Sequence, residues 1–275
     1  MTSAIVLVFG LLVGSFLNVC IVRLPRGRSI VSPPSHCPRC KKSIKFYDNI
    51  PVISFLLLRG KCRSCGEPIS WRYPLVELMN GLMYLWIVHE FLMTGEAVLL
   101  MVFCSSLIVI TFIDFDFQII PDVITFPGML IGILIGPFFL SALGGPPPFY
   151  IGSLVPDAGP RLIGFLNAVI GLLCGGLPLF SIGWLWEKLR HEEGMGGGDV
   201  KLMGMIGSFL GWKGAFLTIF LGAIGGSIIG LALMSLKLHK RGQVIPFGPF
   251  LALGAVTTAF YGPDIIVWYL NLMRT

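Results

Sequence analysis

Apolar runs recur along the whole chain, several of them long enough to cross a bilayer, and nothing else in the sequence narrows the possible folds as strongly. Crossing roughly 30 Å of hydrocarbon takes about 20 helical residues, since each advances the axis by about 1.5 Å. Eight runs stand out: Ala4 to Val22, Pro74 to Phe91, Val98 to Asp114, Val123 to Ala142, Leu162 to Trp186, Val200 to Leu210, Gly214 to Leu236 and Ile245 to Leu270. They predict an all-α polytopic membrane protein with about eight transmembrane helices. Composition agrees: 55% of residues are hydrophobic and only 12% charged, against the usual quarter in soluble domains. The run Val200 to Leu210 is too short to span alone, so it is expected as a half-buried site helix sheltered by neighbours, where irregular segments are tolerated. The first run lacks both a basic stretch before it and a small-residue cleavage site after it, and is read as a retained helix.

Basic residues accumulate in cytoplasmic loops, and this fixes an expected orientation. Eleven of the twenty lie between the first two runs, from Arg23 to Arg72. Lys188, Arg190 and Lys201, then Lys237, Lys240 and Arg241, fall on the same side, while Arg161, Lys213 and Arg274 fall opposite. Both termini are thus expected outside. The expected organisation is a first transmembrane helix (1–22), a cytoplasmic loop domain (23–73) and a membrane-embedded helical bundle (74–275). The net charge of +6 is explained by a basic surface beside anionic membrane lipid and calls for no nucleic-acid partner.

The loop carries Cys37-Pro38-Arg39-Cys40 and Cys62-Arg63-Ser64-Cys65. Two close thiolate pairs suit tetrahedral zinc, and four cysteine ligands leave no open position for water, so the metal is expected to be structural. Two disulfides are the alternative, disfavoured in a reducing cytoplasm. His36 is read as a solvated loop histidine, and Cys20, Cys104 and Cys174 as small buried hydrophobes.

Ionisable groups in apolar helices are costly, and each begins as a functional hypothesis. Asp114, Asp116 and Asp122 sit at the expected cytoplasmic end of the third run and the start of the fourth, and Asp199 follows Gly194-Met195-Gly196-Gly197-Gly198 at the start of the sixth. Asp122 also suits a helix cap after Pro121, and Asp116 a solvated turn. Gly196 and Gly198 allow a close backbone approach that holds Asp199 against another helix. Lys201 either biases Asp199 toward its charged form or snorkels to the surface, and Glu77 either meets a ligand or favours a helix N-terminus. Two carboxylates brought together cannot easily both ionise, so one keeps a proton while the other activates water, which is aspartic-protease chemistry. His89-Glu90 and His191-Glu192 each open an H-E-x-x-H pattern, but Met93 and Met195 stand where the second histidine is needed. No G-x-S-x-G nucleophile motif is present.

Together, Gly14-Ser15-Phe16-Leu17-Asn18-Val19-Cys20 with Arg23-Leu24-Pro25, the paired cysteines, the stretch from Asp114 to Asp122, Gly196-Gly197-Gly198-Asp199-Val200-Lys201 and Pro246-Phe247-Gly248-Pro249-Phe250 resemble the type IV prepilin peptidases over essentially the whole chain. The resemblance implies a bacterial inner-membrane leader peptidase with Asp114 and Asp199 as the catalytic pair. Its substrates would be prepilin or pseudopilin precursors, cut after a glycine where the hydrophobic helix begins. It also implies N-methylation of the new N-terminus with S-adenosylmethionine as donor. No donor-binding residue is assigned: Gly194-x-Gly196-x-Gly198 looks like a nucleotide-binding glycine pattern, but no strand is expected before it. A transporter would show related halves, a zinc-ribbon scaffold would tolerate loss of Asp114 or Asp199, and a pure methyltransferase would bind donor without cleaving. The glycines at 10 and 14, and at 222, 226 and 230, have small-xxx-small spacing and are read as helix-packing positions. The proline-rich 144–159 segment is read as an external loop.

Overall fold

The computed structural model describes residues 2–139, 159–190, 196–236 and 245–273, and these are helical or irregular with isolated bridges but no strand. Most of the external loop expected at 144–159 lies outside them. The chain divides into two compact units, Met1–Ile113 and Asp114–Thr275.

In the first unit, α1 (Thr2–Arg23) packs along α3 (Arg72–Phe91), and the long loop between them holds a short helix, α2 (Ile53–Leu57). The axes come close because glycines stand at the contact. A Cβ at Gly10 would stand 2.8 Å from the Gly81 Cα, and one at Gly14 would stand 2.7 Å from the Glu77 Cα. This bears out the packing role expected for those two glycines. Polar side chains reinforce the contact, as is usual where lipid supplies no hydrophobic drive between helices. The Asn80 amide donates to the Gly10 carbonyl at 2.8 Å, and the Ser105 hydroxyl donates to Asn80 Oδ1 at 2.8 Å. Ser105 lies on α4 (Gly95–Phe117), whose first turn is capped by Thr94 Oγ1 accepting from the Ala97 N–H at 3.2 Å.

The second unit takes up the last turn of α4, then α5 (Asp122–Leu134), α6 (Gly136–Phe139), α7 (Pro160–Arg190), α8 (Gly197–Ser235) and α9 (Gly248–Leu272). The first half of α8 is its core: Leu202, Met203, Met205 and Ile206 are almost wholly enclosed, with α5, α7 and α9 packed around the helix. The sequence expectation of a half-buried helix here therefore understates its burial. As expected, the runs 200–210 and 214–236 form two helical arms of α8 that meet at a kink at Gly211, whose φ of 70° and ψ of 179° belong to no helix. That left-handed φ strains any side chain, and a Cβ there would meet the Asn167 amide at 2.5 Å, so both backbone and packing require glycine.

Among the described residues, five helices are long and apolar enough to cross a membrane, α1, α4, α7, α8 and α9, which makes this a multi-pass membrane protein. The exact count of eight expected from the sequence is not confirmed by these five. The second run forms α3, which is less apolar; the fourth forms a shorter apolar stretch, Asp122–Phe138, across α5 and α6; the sixth and seventh form the two arms of α8 on either side of Gly211.

Candidate active site and metal centre

Asp114 sits in the last turn of α4, which ends where Gln118 turns to a φ of 54° and its N–H returns to the Asp114 carbonyl at 2.9 Å. The Asp114 side chain is buried, and its Oδ2 accepts a hydrogen bond from the Gly248 N–H at 3.0 Å. Gly248 opens α9, and its N–H, at the first helical position, has no acceptor within the helix and is left to bond a carboxylate. The glycine is needed for the approach itself, since a Cβ at 248 would stand 2.7 Å from that oxygen.

Asp199 is the third residue of α8, half-buried, its N–H closing onto the Gly196 carbonyl at 3.1 Å. Its carboxyl lies within electrostatic reach of that of Asp114. One helix C-terminus (α4) and two helix N-termini (α8, α9) thus converge on a pair of acids. Gly198 lets the start of α8 press against Ile120, where a Cβ would stand 2.9 Å from the Ile120 Cβ. Gly196 has room around it and serves as the extended residue before the helix.

The remaining acids of the cluster stand apart. Asp122 is exposed at the first position of α5, not capping it, and takes the Lys201 ammonium on both oxygens at 2.7 and 2.9 Å. Lys201 is therefore engaged with Asp122, and the expectation that it tunes Asp199 directly gives way to a tie between the starts of α5 and α8. Asp116 is exposed two residues beyond Asp114, on another face of the turn. Gly248 is the residue that reasoning from sequence missed. Its signal was present in the glycine flanked by prolines at 246 and 249, but the contact joins positions 134 residues apart.

The four loop cysteines form the second cluster, with all their sulfurs within 4.8 Å of one another and Cys37 Sγ 3.9 Å from Cys65 Sγ. Tetrahedral zinc with bonds of about 2.3 Å sets its sulfurs about 3.8 Å apart, so the cluster fits the ion. Its construction is a duplication offset by 25 residues that the sequence reading did not detect. The bridge between His36 and Ser43 returns between Lys61 and Pro68. The N–H of Cys37 bonds the Lys42 carbonyl as that of Cys62 bonds Glu67, and Lys41 and Gly66 both turn at positive φ. The N–H groups of Cys65 and Ser64 aimed at Cys62 draw its thiol down to about 7. Cys65 is pushed up to about 11: the Glu67 N–H favours its thiolate, but desolvation and the neighbouring sulfurs outweigh that. Four thiols this close cannot all ionise without a cation among them. Arg63 forks onto Asp48 at 2.6 to 2.9 Å and ties the middle of the loop to the second knuckle.

Glu77 lies elsewhere in the same unit, and it is neither a free acid nor a helix-terminal charge. It is buried on α3, and its Oε2 accepts from the Val52 N–H at 2.8 Å.

Comparison with known proteins covers both parts of the chain. Residues 8–91 match the model of the bacterial peptidase A24 N-terminal domain, and residues 101–231 that of the type IV leader peptidase family. Among curated relatives, the prepilin leader peptidase/N-methyltransferase of Stutzerimonas stutzeri is 35% identical, with 98% of this chain and 93% of the relative covered. The protein of the same name from Pseudomonas aeruginosa is 34% identical over 96% of this chain and 92% of its own. That of Myxococcus xanthus is 38% identical over 95% and 73%. No solved structure matches the chain. With two family models side by side along it and relatives aligned nearly end to end, the chain belongs to the type IV leader peptidase family.

Proposed function

We propose that this protein cleaves the leader from type IV prepilin and pseudopilin precursors at the cytoplasmic boundary of the bacterial inner membrane, and N-methylates the new N-terminus. The observation that carries the first half is the convergence of Asp114 and Asp199, with the Gly248 N–H holding one oxygen of Asp114. The names of the relatives carry the second half.

The pair shares one proton. Its ionised member takes a proton from water, whose oxygen attacks the scissile carbonyl carbon, while the protonated member donates to the carbonyl oxygen. As the C–N bond of the tetrahedral gem-diol breaks, the carboxyl now protonated gives its proton to the amine nitrogen and a gem-diol hydroxyl returns its proton to the other carboxylate, so the pair ends as it began, with one proton. The two acids titrate together, so acid and base belong to the pair rather than to either residue. The Gly248 N–H leaves Oδ1 of Asp114 for water or carbonyl, and so orients the carboxylate before substrate arrives.

Zinc held by Cys37, Cys40, Cys62 and Cys65 supplies structure to the loop and takes no part in cleavage. S-adenosylmethionine supplies the methyl group in this reading. The glycines at 196 and 198 open a helix with no strand before it, so they form no dinucleotide-type turn, and no residue is assigned to the donor.

The test is cleavage of a purified prepilin by the parent, Asp114→Asn and Asp199→Asn in detergent, with zinc content and methylation of a pre-cleaved pilin measured on each. Loss of cleavage in both variants, with zinc and methylation retained, supports the paired-acid mechanism. Cleavage by either variant overturns it.

A further inference from the structure

The loop between the two cysteine knuckles is not wholly a water-exposed appendage. The Val52 N–H bonds Glu77, and Glu77 faces Gly14, nine residues before the end of α1 at Arg23. At about 1.5 Å per residue, Val52 is anchored roughly 13 Å inside the end of a membrane-crossing helix. It is held there at a φ of 61°, a conformation that costs a β-branched residue energy, so the anchor opposes a local strain.

The residues that follow suit lipid at that depth. In α2, Ile53, Leu56 and Leu57 are 54%, 63% and 77% exposed, as much as Ile5, Val8 and Leu12 on the open side of α1 at 64%, 56% and 54%. Ser54 and Phe55 face inward, and the Trp71 indole stands 4.6 Å from the Phe55 ring with its other side open. Much of the backbone here is bonded locally. Ser54 Oγ accepts from the Ile50 N–H at 3.0 Å and donates to the Tyr47 carbonyl at 2.9 Å, and the Leu56 and Leu58 N–H groups return to Val52 and Ser54. Irregular backbone at membrane depth must meet that condition. Exposed Arg59 and Lys61 follow directly, placed to reach anionic headgroups.

We propose that 50–58 is a foot inserted into the bilayer leaflet, with Ile53, Leu56 and Leu57 against acyl chains and Trp71 at the headgroup level. The foot fixes the cysteine knuckles on the membrane surface and does not depend on either catalytic activity.

The experiment uses the full chain in nanodiscs of mixed phosphatidylcholine and phosphatidylglycerol, with and without bromine on the acyl chains. Emission added by Leu57→Trp is compared with that added by Val31→Trp, at a loop site 86% exposed, by subtracting the parent spectrum. Zinc content confirms folding, and Leu56→Trp replaces Leu57→Trp if the latter loses zinc. The expected result is blue-shifted emission at 57 that brominated lipid quenches and aqueous iodide does not, with the reverse at 31. Iodide quenching at 57 equal to that at 31 overturns the proposal. So does shielding from both quenchers, which would mean that a protein segment, such as a substrate helix, covers this face.

Discussion

Gly248→Ala isolates the contact that orients Asp114. The added Cβ would stand 2.7 Å from Asp114 Oδ2 and 3.3 Å from its Cγ, where ordinary contact begins near 3.4 Å. The carboxylate must retreat by about 0.7 Å or α9 must shift, and small displacements of reacting groups are costly in rate. Either movement lengthens the 3.0 Å bond from the Gly248 N–H. A hydrogen bond to a charged acceptor contributes about 1.5–3 kcal/mol. If that orientation is needed in the transition state, its loss lowers kcat by roughly 10- to 150-fold, at about 1.4 kcal/mol per factor of ten. Alanine suits the first turn of a helix, so α9 itself should form normally. The assay is the rate of leader removal from a saturating prepilin in detergent, with zinc content and methylation of a pre-cleaved pilin as controls. Cleavage within about twofold of the parent, with folding intact, would refute the claim that this N–H orients the acid.

Two further outcomes follow from other parts of the molecule. Zinc should leave the loop faster to a chelator at pH 6 than at pH 8, read by a colorimetric zinc indicator: the Cys62 thiol sits near 7, so protons compete with the metal below that value. Gly211→Ala should lower thermal stability in detergent by about 1–3 kcal/mol, because it forces an L side chain into a left-handed φ. The Asn167 amide lies 2.5 Å from the new Cβ, so Asn167→Ala should recover part of that loss in the double variant.

The features legible in the sequence were those whose physical cause is local. An apolar run long enough for lipid reads as a helix whatever surrounds it, and α1, α4, α7 and α9 lie where the runs placed them. Paired C-x-x-C turns carry their own ligand geometry, and the four sulfurs come together as expected. Acids beside apolar runs are rare enough that Asp114, Asp116, Asp122 and Asp199 could be picked out in the sequence, and the resemblance to prepilin peptidases singled out Asp114 and Asp199. The tertiary structure decided which partners those groups found. Whether Lys201 served Asp199 or Asp122 depended on the packing of α5 against α8, and it fell to Asp122. The Gly248 N–H reaches Asp114 across 134 positions, and Glu77 reaches Val52 across 25, because helix packing brings the chain back on itself. Runs 200–210 and 214–236 read as two helices and form two, but that they meet at Gly211, held at a left-handed φ within a buried contact, was decided by packing. Hydropathy and spacing act along the chain and survive without a fold, whereas a hydrogen bond between distant residues exists only once packing has brought them together.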